Sequence, residues 1–213
     1  MSILVKICGL KTPDMVDAAI AAGADMLGFV FFEKSPRHVS LAQAAALGAH
    51  VAGRAQKVAL TVDADDAALD AIIAALKPDL LQAHGKESPA RVAEIAARTG
   101  LPVMKALGVE TKADLAKADA YAPVCDRLLF DAKPPKGAIL PGGNGAPFDW
   151  EILRGFDPGR PWMLSGGLSP ENVAQAVRIA GAPGVDVSSG VETAPGVKDA
   201  GLIRAFVAAA RAA

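Results

Sequence analysis

Eight short apolar runs, each followed by a stretch of helical character, set the strongest constraint on how this 213-residue chain can fold. The runs are residues 4–8, 26–31, 57–62, 79–83, 102–106, 127–131, 162–165 and 184–188. The helical stretches between and after them are 12–22, 41–52, 64–76, 88–98, 112–120, 148–153, 169–180 and 199–210. Apolar strands that alternate with helices belong to a parallel sheet covered by helices. Eight units of about 27 residues favour closure over an open doubly wound sheet, so the expected fold is a single-domain α/β (β/α)8 TIM barrel over residues 1–213. Thr12-Pro13 and Ser169-Pro170-Glu171-Asn172 carry helix-start chemistry, a hydroxyl N-cap with Pro at the first helical position.

One stretch interrupts the alternation. Residues 133–147 are dense in Pro and Gly, which forbids regular structure there. The stretch follows the sixth strand and so leaves the barrel on its carboxyl face. A loop of about 15 residues inside a compact domain is a lid or binding loop, or else a plain surface connection.

Composition narrows the function classes. Hydrophobic residues make up 52% and charged residues 21%, enough apolar material for a large core. The net charge of −1, with scattered basic residues, gives no field for nucleic acid or an anionic membrane. No apolar run approaches the roughly 18 residues of a membrane span, and the first residues do not read as a secretory signal. Cys8 and Cys125 form no disulfide framework, so a reduced, cytoplasmic protein is expected.

Chemistry-bearing residues fall at strand ends. Cys8 closes the first apolar run and Asp131 the sixth, where a barrel points functional groups into its pocket. A Cys after an apolar strand is ordinarily a small buried hydrophobe, and an Asp there is often a turn or cap residue. These residues alone leave both readings open. A reactive Cys8 would need local N–H donors or cations such as Lys6, provided that side chain faces inward. Cys125 precedes its strand and is assigned to packing.

The loops after strands seven and eight, containing Gly166-Gly167 and Ser188-Ser189-Gly190, fit a phosphate site. Ordinary turn geometry is the alternative. Arg37, after Pro36, would sit at the barrel mouth as a fork for a carboxylate or simply as a solvated surface arginine. His84 ends strand four and either faces the pocket or serves its polar rim. The three histidines are scattered without ligand spacing, so no metal is expected, and no nucleotide fingerprint or Ser-His-Asp elbow is present.

Together these stretches resemble the phosphoribosylanthranilate isomerase family. The likeness rests on Val5-Lys6-Ile7-Cys8-Gly9-Leu10, Gly28-Phe29-Val30-Phe31 with Ser35-Pro36-Arg37, Gln82-Ala83-His84-Gly85 and Phe130-Asp131. It continues through Gly142-Gly143-Asn144-Gly145, Leu164-Ser165-Gly166-Gly167-Leu168 and Asp186-Val187-Ser188-Ser189-Gly190-Val191-Glu192. Ala83, where the family usually has a larger apolar residue, and Asn144, where it often has Thr, are mild departures.

The resemblance implies an Amadori rearrangement of N-(5′-phosphoribosyl)anthranilate in tryptophan biosynthesis, without a cofactor. It implies Asp131 as general acid, Cys8 as general base and Arg37 on the anthranilate carboxylate. The Gly166-Gly167 and 188–190 loops would hold the phosphate, and the loop after strand six would close over the substrate. The expected partner is a small phosphorylated molecule; the chain would be a monomer or a homodimer. A histidine-pathway sugar isomerase would want Asp where this chain has Cys8, and an indole-glycerol-phosphate synthase would want a Lys-rich mouth. A non-catalytic phosphate-binding barrel would have no need of an acid and a base together.

Overall fold

The computed structural model describes residues 3–133, 142 and 148–213. Eight strands close a barrel in chain order. They are β1 Leu4–Cys8, β2 Met26–Phe31, β3 Gln56–Thr61, β4 Leu80–Ala83, β5 Val103–Val109, β6 Arg127–Ala132, β7 Trp162–Leu164 and β8 Gly184–Val187. All neighbouring strands are parallel, and β1 pairs with both β2 and β8, which seals the ring. A short antiparallel ribbon, β9 Glu192–Ala194 with β10 Val197–Lys198, follows β8 and was not legible in the sequence.

The helices are α1 Pro13–Ala22, α2 Leu41–Val51, α3 Asp66–Leu76, α4 Pro89–Thr99, α5 Lys117–Tyr121, α6 Val173–Ala180 and α7 Ala200–Arg211. Their starts follow local chemistry. Ser40 and Gln43 form a reciprocal capping box on α2, and Asp65 and Ser88 accept backbone N–H groups at the starts of α3 and α4.

Three helical expectations change. The 112–120 stretch divides into a 3₁₀ turn, Lys112–Ala116, and the short α5. The 148–153 stretch is a single 3₁₀ turn, Trp150–Leu153, in place of a helix. There the outer face of β6 is covered by aromatic edges instead, with Phe130 packed T-shaped on Phe156 at 5.7 Å and on Trp162 at 5.5 Å. The expected helix 169–180 begins only at Val173, because Asn172 Oδ1 accepts the Ser169 N–H while its Nδ2 donates to the Gly167 carbonyl. That turn folds residues 169–172 back onto the loop after β7. Of the stretch expected as a lid, residues 133–147, all but Lys133 and Gly142 lie outside the described residues.

Period-two alternation divides each strand between two cores. The outward side chains pack under the helices in the main apolar cluster. Inside the barrel, Met26, Val58, Leu80, Met104, Leu129 and Met163 fill the amino-terminal end. Toward the carboxyl end Cys8, Val30 and Leu60 form a second small cluster, and polar groups appear among them. The barrel is thus plugged with apolar side chains at one end and open to chemistry at the other.

The closed end is stitched by aspartates that precede even-numbered strands. Asp25, Asp79 and Asp126 each accept the backbone N–H of a residue on the preceding strand, those of Val5, Lys57 and Val103, at 2.7, 2.7 and 2.8 Å. The Asp25 carboxylate also pairs with Arg211 of α7 at 2.7 Å, fastening the last helix to the first two strands.

Candidate active site

The carboxyl end of the barrel holds a cavity with about 650 Å³ of empty space, its open mouth included. Cys8, Arg37, His84, Asp131, Gly166 and Gly167 line it, with Ser188 and Ser189. Residues from β1 and β6 and from the loops after β2, β4, β7 and β8 thus converge, though they are scattered along the sequence. Its other wall is apolar, built from Val30, Phe32, Leu60 and Val62.

Cys8 points inward because it shares a face of β1 with Leu4 and Lys6. Lys6 is wholly buried and pairs with Asp186 of β8 at 2.9 Å. Gly28 on β2 leaves room for both side chains: a Cβ there would lie 2.8 Å from Cys8 Sγ and 3.1 Å from Lys6 Nζ. Burial is the largest influence on the Cys8 thiol and pushes its pKa up; Asp186 adds to the rise, while Lys6 and Lys198 oppose it. The free protein therefore holds Cys8 as a thiol beside an ammonium that would stabilise the thiolate once formed. Burial opposes the Lys6 charge, yet Asp186 and Cys8 beside it hold its pKa above the ordinary value.

Asp131 ends the inward face of β6. Its Oδ1 accepts the Ala132 N–H at 2.9 Å, and its Oδ2 lies 3.2 Å from His84 Nε2. His84 therefore belongs to the cavity and touches the candidate acid.

Arg37 is buried with its Nε and Nη2 both on Glu192, at 2.9 and 2.8 Å. One edge of the guanidinium is thereby fixed. Among the described residues its Nη1 edge makes no hydrogen bond and is left for a ligand. Lys198 of β10 also reaches Glu192, at 2.5 Å, and donates to the Ser188 carbonyl at 3.0 Å. Burial lowers the Lys198 pKa, with Glu192 pulling the other way. Burial alone would raise Glu192, but hydrogen bonds from Arg37 and the Lys198 charge keep its pKa below the ordinary value. Two cations against one carboxylate leave this rim with one positive charge, suited to an anionic ligand.

Gly166 and Gly167 take successive left-handed conformations, φ +89° and +62°. Among the described residues neither N–H is donated to a protein acceptor, as an anion-binding loop requires. Gly190 does not line the cavity. A Cβ there would sit 1.8 Å from the Leu168 carbonyl oxygen, so this glycine lets the loops after β7 and β8 interlock. Gly190→Ala is expected to cost about 1–3 kcal/mol through that clash. A thermal melt should show Tm lowered by about 2–10 °C; an unchanged Tm would show that the loops part without cost.

The Glu192–Lys198 partnership with Arg37 and the contact of Gln82 with His84 were not legible in the sequence. Lys6 was recoverable from its period-two spacing to Cys8. The Arg37 partners were not, because 155 residues separate Arg37 from Glu192. Among the described residues, no group of three or more His, Cys, Asp or Glu is arranged to hold a metal ion. Nor, among those residues, is any helix long and apolar enough to cross a membrane.

The family profile described as N-(5'phosphoribosyl)anthranilate (PRA) isomerase matches residues 5–209. A relative from Nitrobacter winogradskyi, named N-(5'-phosphoribosyl)anthranilate isomerase, is 65% identical over 213 residues, covering 100% of this chain and 95% of its own length. The crystal structure of phosphoribosyl anthranilate isomerase from Thermotoga maritima superposes with a TM-score of 0.89 at 32% identity, covering 99% of this chain and 100% of that one. A phosphoribosyl anthranilate isomerase solved with reduced 1-(o-carboxyphenylamino)-1-deoxyribulose 5-phosphate has a TM-score of 0.86 at 31% identity, covering 99% and 100%.

Proposed function

This chain belongs to the N-(5'-phosphoribosyl)anthranilate isomerase family, enzymes of tryptophan biosynthesis, and we propose that it catalyses the Amadori rearrangement of N-(5'-phosphoribosyl)anthranilate by general acid–base catalysis. The observation that carries this reading is that Cys8 and Asp131 line one cavity from strands three apart around the barrel. Asp131 gives a proton to the ribose ring oxygen as the C1′–O bond breaks, leaving a protonated imine between C1′ and the anthranilate nitrogen. Cys8, as thiolate, removes the C2′ proton to give the enolamine, which tautomerises to the 1-deoxyribulose ketone. Each step exchanges a proton with a side chain while the electrons redistribute within the substrate, C2′ being oxidised as C1′ is reduced, so the chemistry calls for no cofactor.

Binding follows the character of each wall. The phosphate dianion suits the free N–H groups of Gly166 and Gly167 beside Ser188 and Ser189. The apolar wall of Val30, Phe32, Leu60 and Val62 suits the anthranilate ring, and the open Nη1 edge of Arg37 suits its carboxylate. A thiol that must work as a base has to stay reduced, which favours the cytoplasm.

The direct test is to follow the fluorescence of phosphoribosylanthranilate with purified protein. Its loss should depend on the enzyme, and substrate left unchanged would overturn the assignment. Arg37→Ala should raise KM by about 10–100-fold, as expected when a charge-assisted hydrogen bond of roughly 1.5–3 kcal/mol is lost. An unchanged KM would remove Arg37 from carboxylate binding.

A further inference from the structure

Gln82 lies within β4, wholly buried, and does not itself border the cavity. Its amide nitrogen is 2.9 Å from His84 Nδ1. Its Oε1 is buried with no hydrogen-bond partner among the described residues. His84 Nε2 in turn lies 3.2 Å from Asp131 Oδ2. A chain of three side chains therefore runs from inside the barrel, through an imidazole, to the carboxyl group at the cavity wall.

A buried amide with an unpartnered oxygen costs roughly 1–3 kcal/mol relative to satisfied packing. Neighbouring interior positions such as Leu80 and Leu60 are filled by apolar side chains, so packing alone does not call for an amide here. Placed with its nitrogen toward the ring, the Gln supplies a donor at Nδ1. An amide nitrogen can only donate, so the Nδ1 facing it must carry a lone pair. The ring proton is then on Nε2, and His84 donates to Asp131 Oδ2.

The alternative tautomer would defeat the acid. With its proton on Nδ1, His84 would present a lone pair to Asp131. The acidic proton would settle on Oδ2, directed at the ring and away from the substrate. With Nε2–H donating, Oδ2 is occupied throughout, and the acidic proton is carried on Oδ1. When that proton goes to the ribose oxygen, the same Nε2–H stabilises the carboxylate left behind. No proton needs to move on His84 at any step.

We propose that Gln82 is a positioning residue: it holds His84 as the neutral Nε2–H tautomer and thereby directs the proton of Asp131 toward the substrate. This rests on Asp131 as the acid of the proposed reaction.

The test reads the tautomer independently of turnover. The full chain, labelled with ¹⁵N-histidine, has three histidines, and His84 is assigned by the signal lost in His84→Asn. Wild-type His84 should show Nε2–H with an unprotonated Nδ1. Gln82→Leu should mix in the Nδ1–H form, and Gln82→Glu, which offers an acceptor to Nδ1, should make that form dominant. Both variants should lose kcat with KM kept within about twofold. The loss should be about 10–100-fold, taken by analogy from the removal of outer partners that orient metal-binding histidines.

A wild-type Nδ1–H tautomer, or a folded variant of either kind with an unchanged tautomer, would overturn the proposal. So would a changed tautomer with kcat untouched. The wild-type spectrum decides the point even if Gln82→Leu fails to fold. Should Asp131→Asn retain full activity, the acid assignment falls, while the tautomer assignment still stands or falls on the spectra.

Discussion

Asp131→Asn is expected to lower kcat by about 10²–10⁴-fold, the contribution of one positioned proton donor. That corresponds to roughly 3–5 kcal/mol of barrier. The amide matches the carboxyl group in shape, and its oxygen can still accept from Ala132 N–H or His84 Nε2, so the cavity should keep its form. What it cannot do is deliver a proton to the ribose oxygen as the ring opens. KM should therefore change little, since the proton transfer belongs to the transition state. Steady-state fluorescence over a range of substrate concentrations separates the two constants. A variant that lost affinity but kept kcat would make Asp131 a binding residue and leave the ring opening without an acid.

Cys8→Ser is expected to be as severe, about 10²–10⁴-fold in kcat, because a hydroxyl beside Lys6 is a far poorer base than a thiolate. The pH profile gives a second handle. Burial, joined by Asp186 and opposed by Lys6 and Lys198, holds the Cys8 pKa above its ordinary value. The working form is the deprotonated one. Raising the pH increases the thiolate fraction, but Asp131 must keep its proton in the same molecule, so kcat/KM follows the product of the two, and the arm of the profile set by Cys8 should lie above about pH 8.5, where an exposed thiol is half titrated. In Cys8→Ser that arm should vanish. A wild-type profile whose thiol-dependent arm lay below about pH 7 would mean that the thiolate is preformed, contrary to the buried pair around it.

The barrel was readable because each unit repeats one pattern that local physics enforces. Apolar strands need helices to cover them, and Ser40, Asp65 and Ser88 mark where helices begin. The reading failed where tertiary contacts outweighed local preference. Trp150–Leu153 has helix-like residues but forms one 3₁₀ turn, because Phe156 and Trp162 cover Phe130 in place of a longer helix. The Ser169-Pro170 start signal was overruled by Asn172, which ties the segment to the loop after β7.

The candidate site divides the same way. Strand-end position singled out Cys8, Asp131 and His84, and glycine content singled out the loops after β7 and β8. Position could not say what each group touches. Gly190 was singled out with its loop for an anion; the structure adds that two loops pass too closely there for a side chain. Arg37 looked like a free fork, and half of it is held by Glu192.

By itself, then, the sequence determined the repeating architecture, the strand-end candidates and the likeness to a family, because these depend on spacing within a few residues or on matching stretches. Only the tertiary structure decided the electrostatics. Lys6 meets Asp186 across 180 residues of chain, Arg37 meets Glu192 across 155, and His84 meets Asp131 across the barrel mouth. Charges and protons respond to distance in space and to burial, and both are set only when the barrel closes.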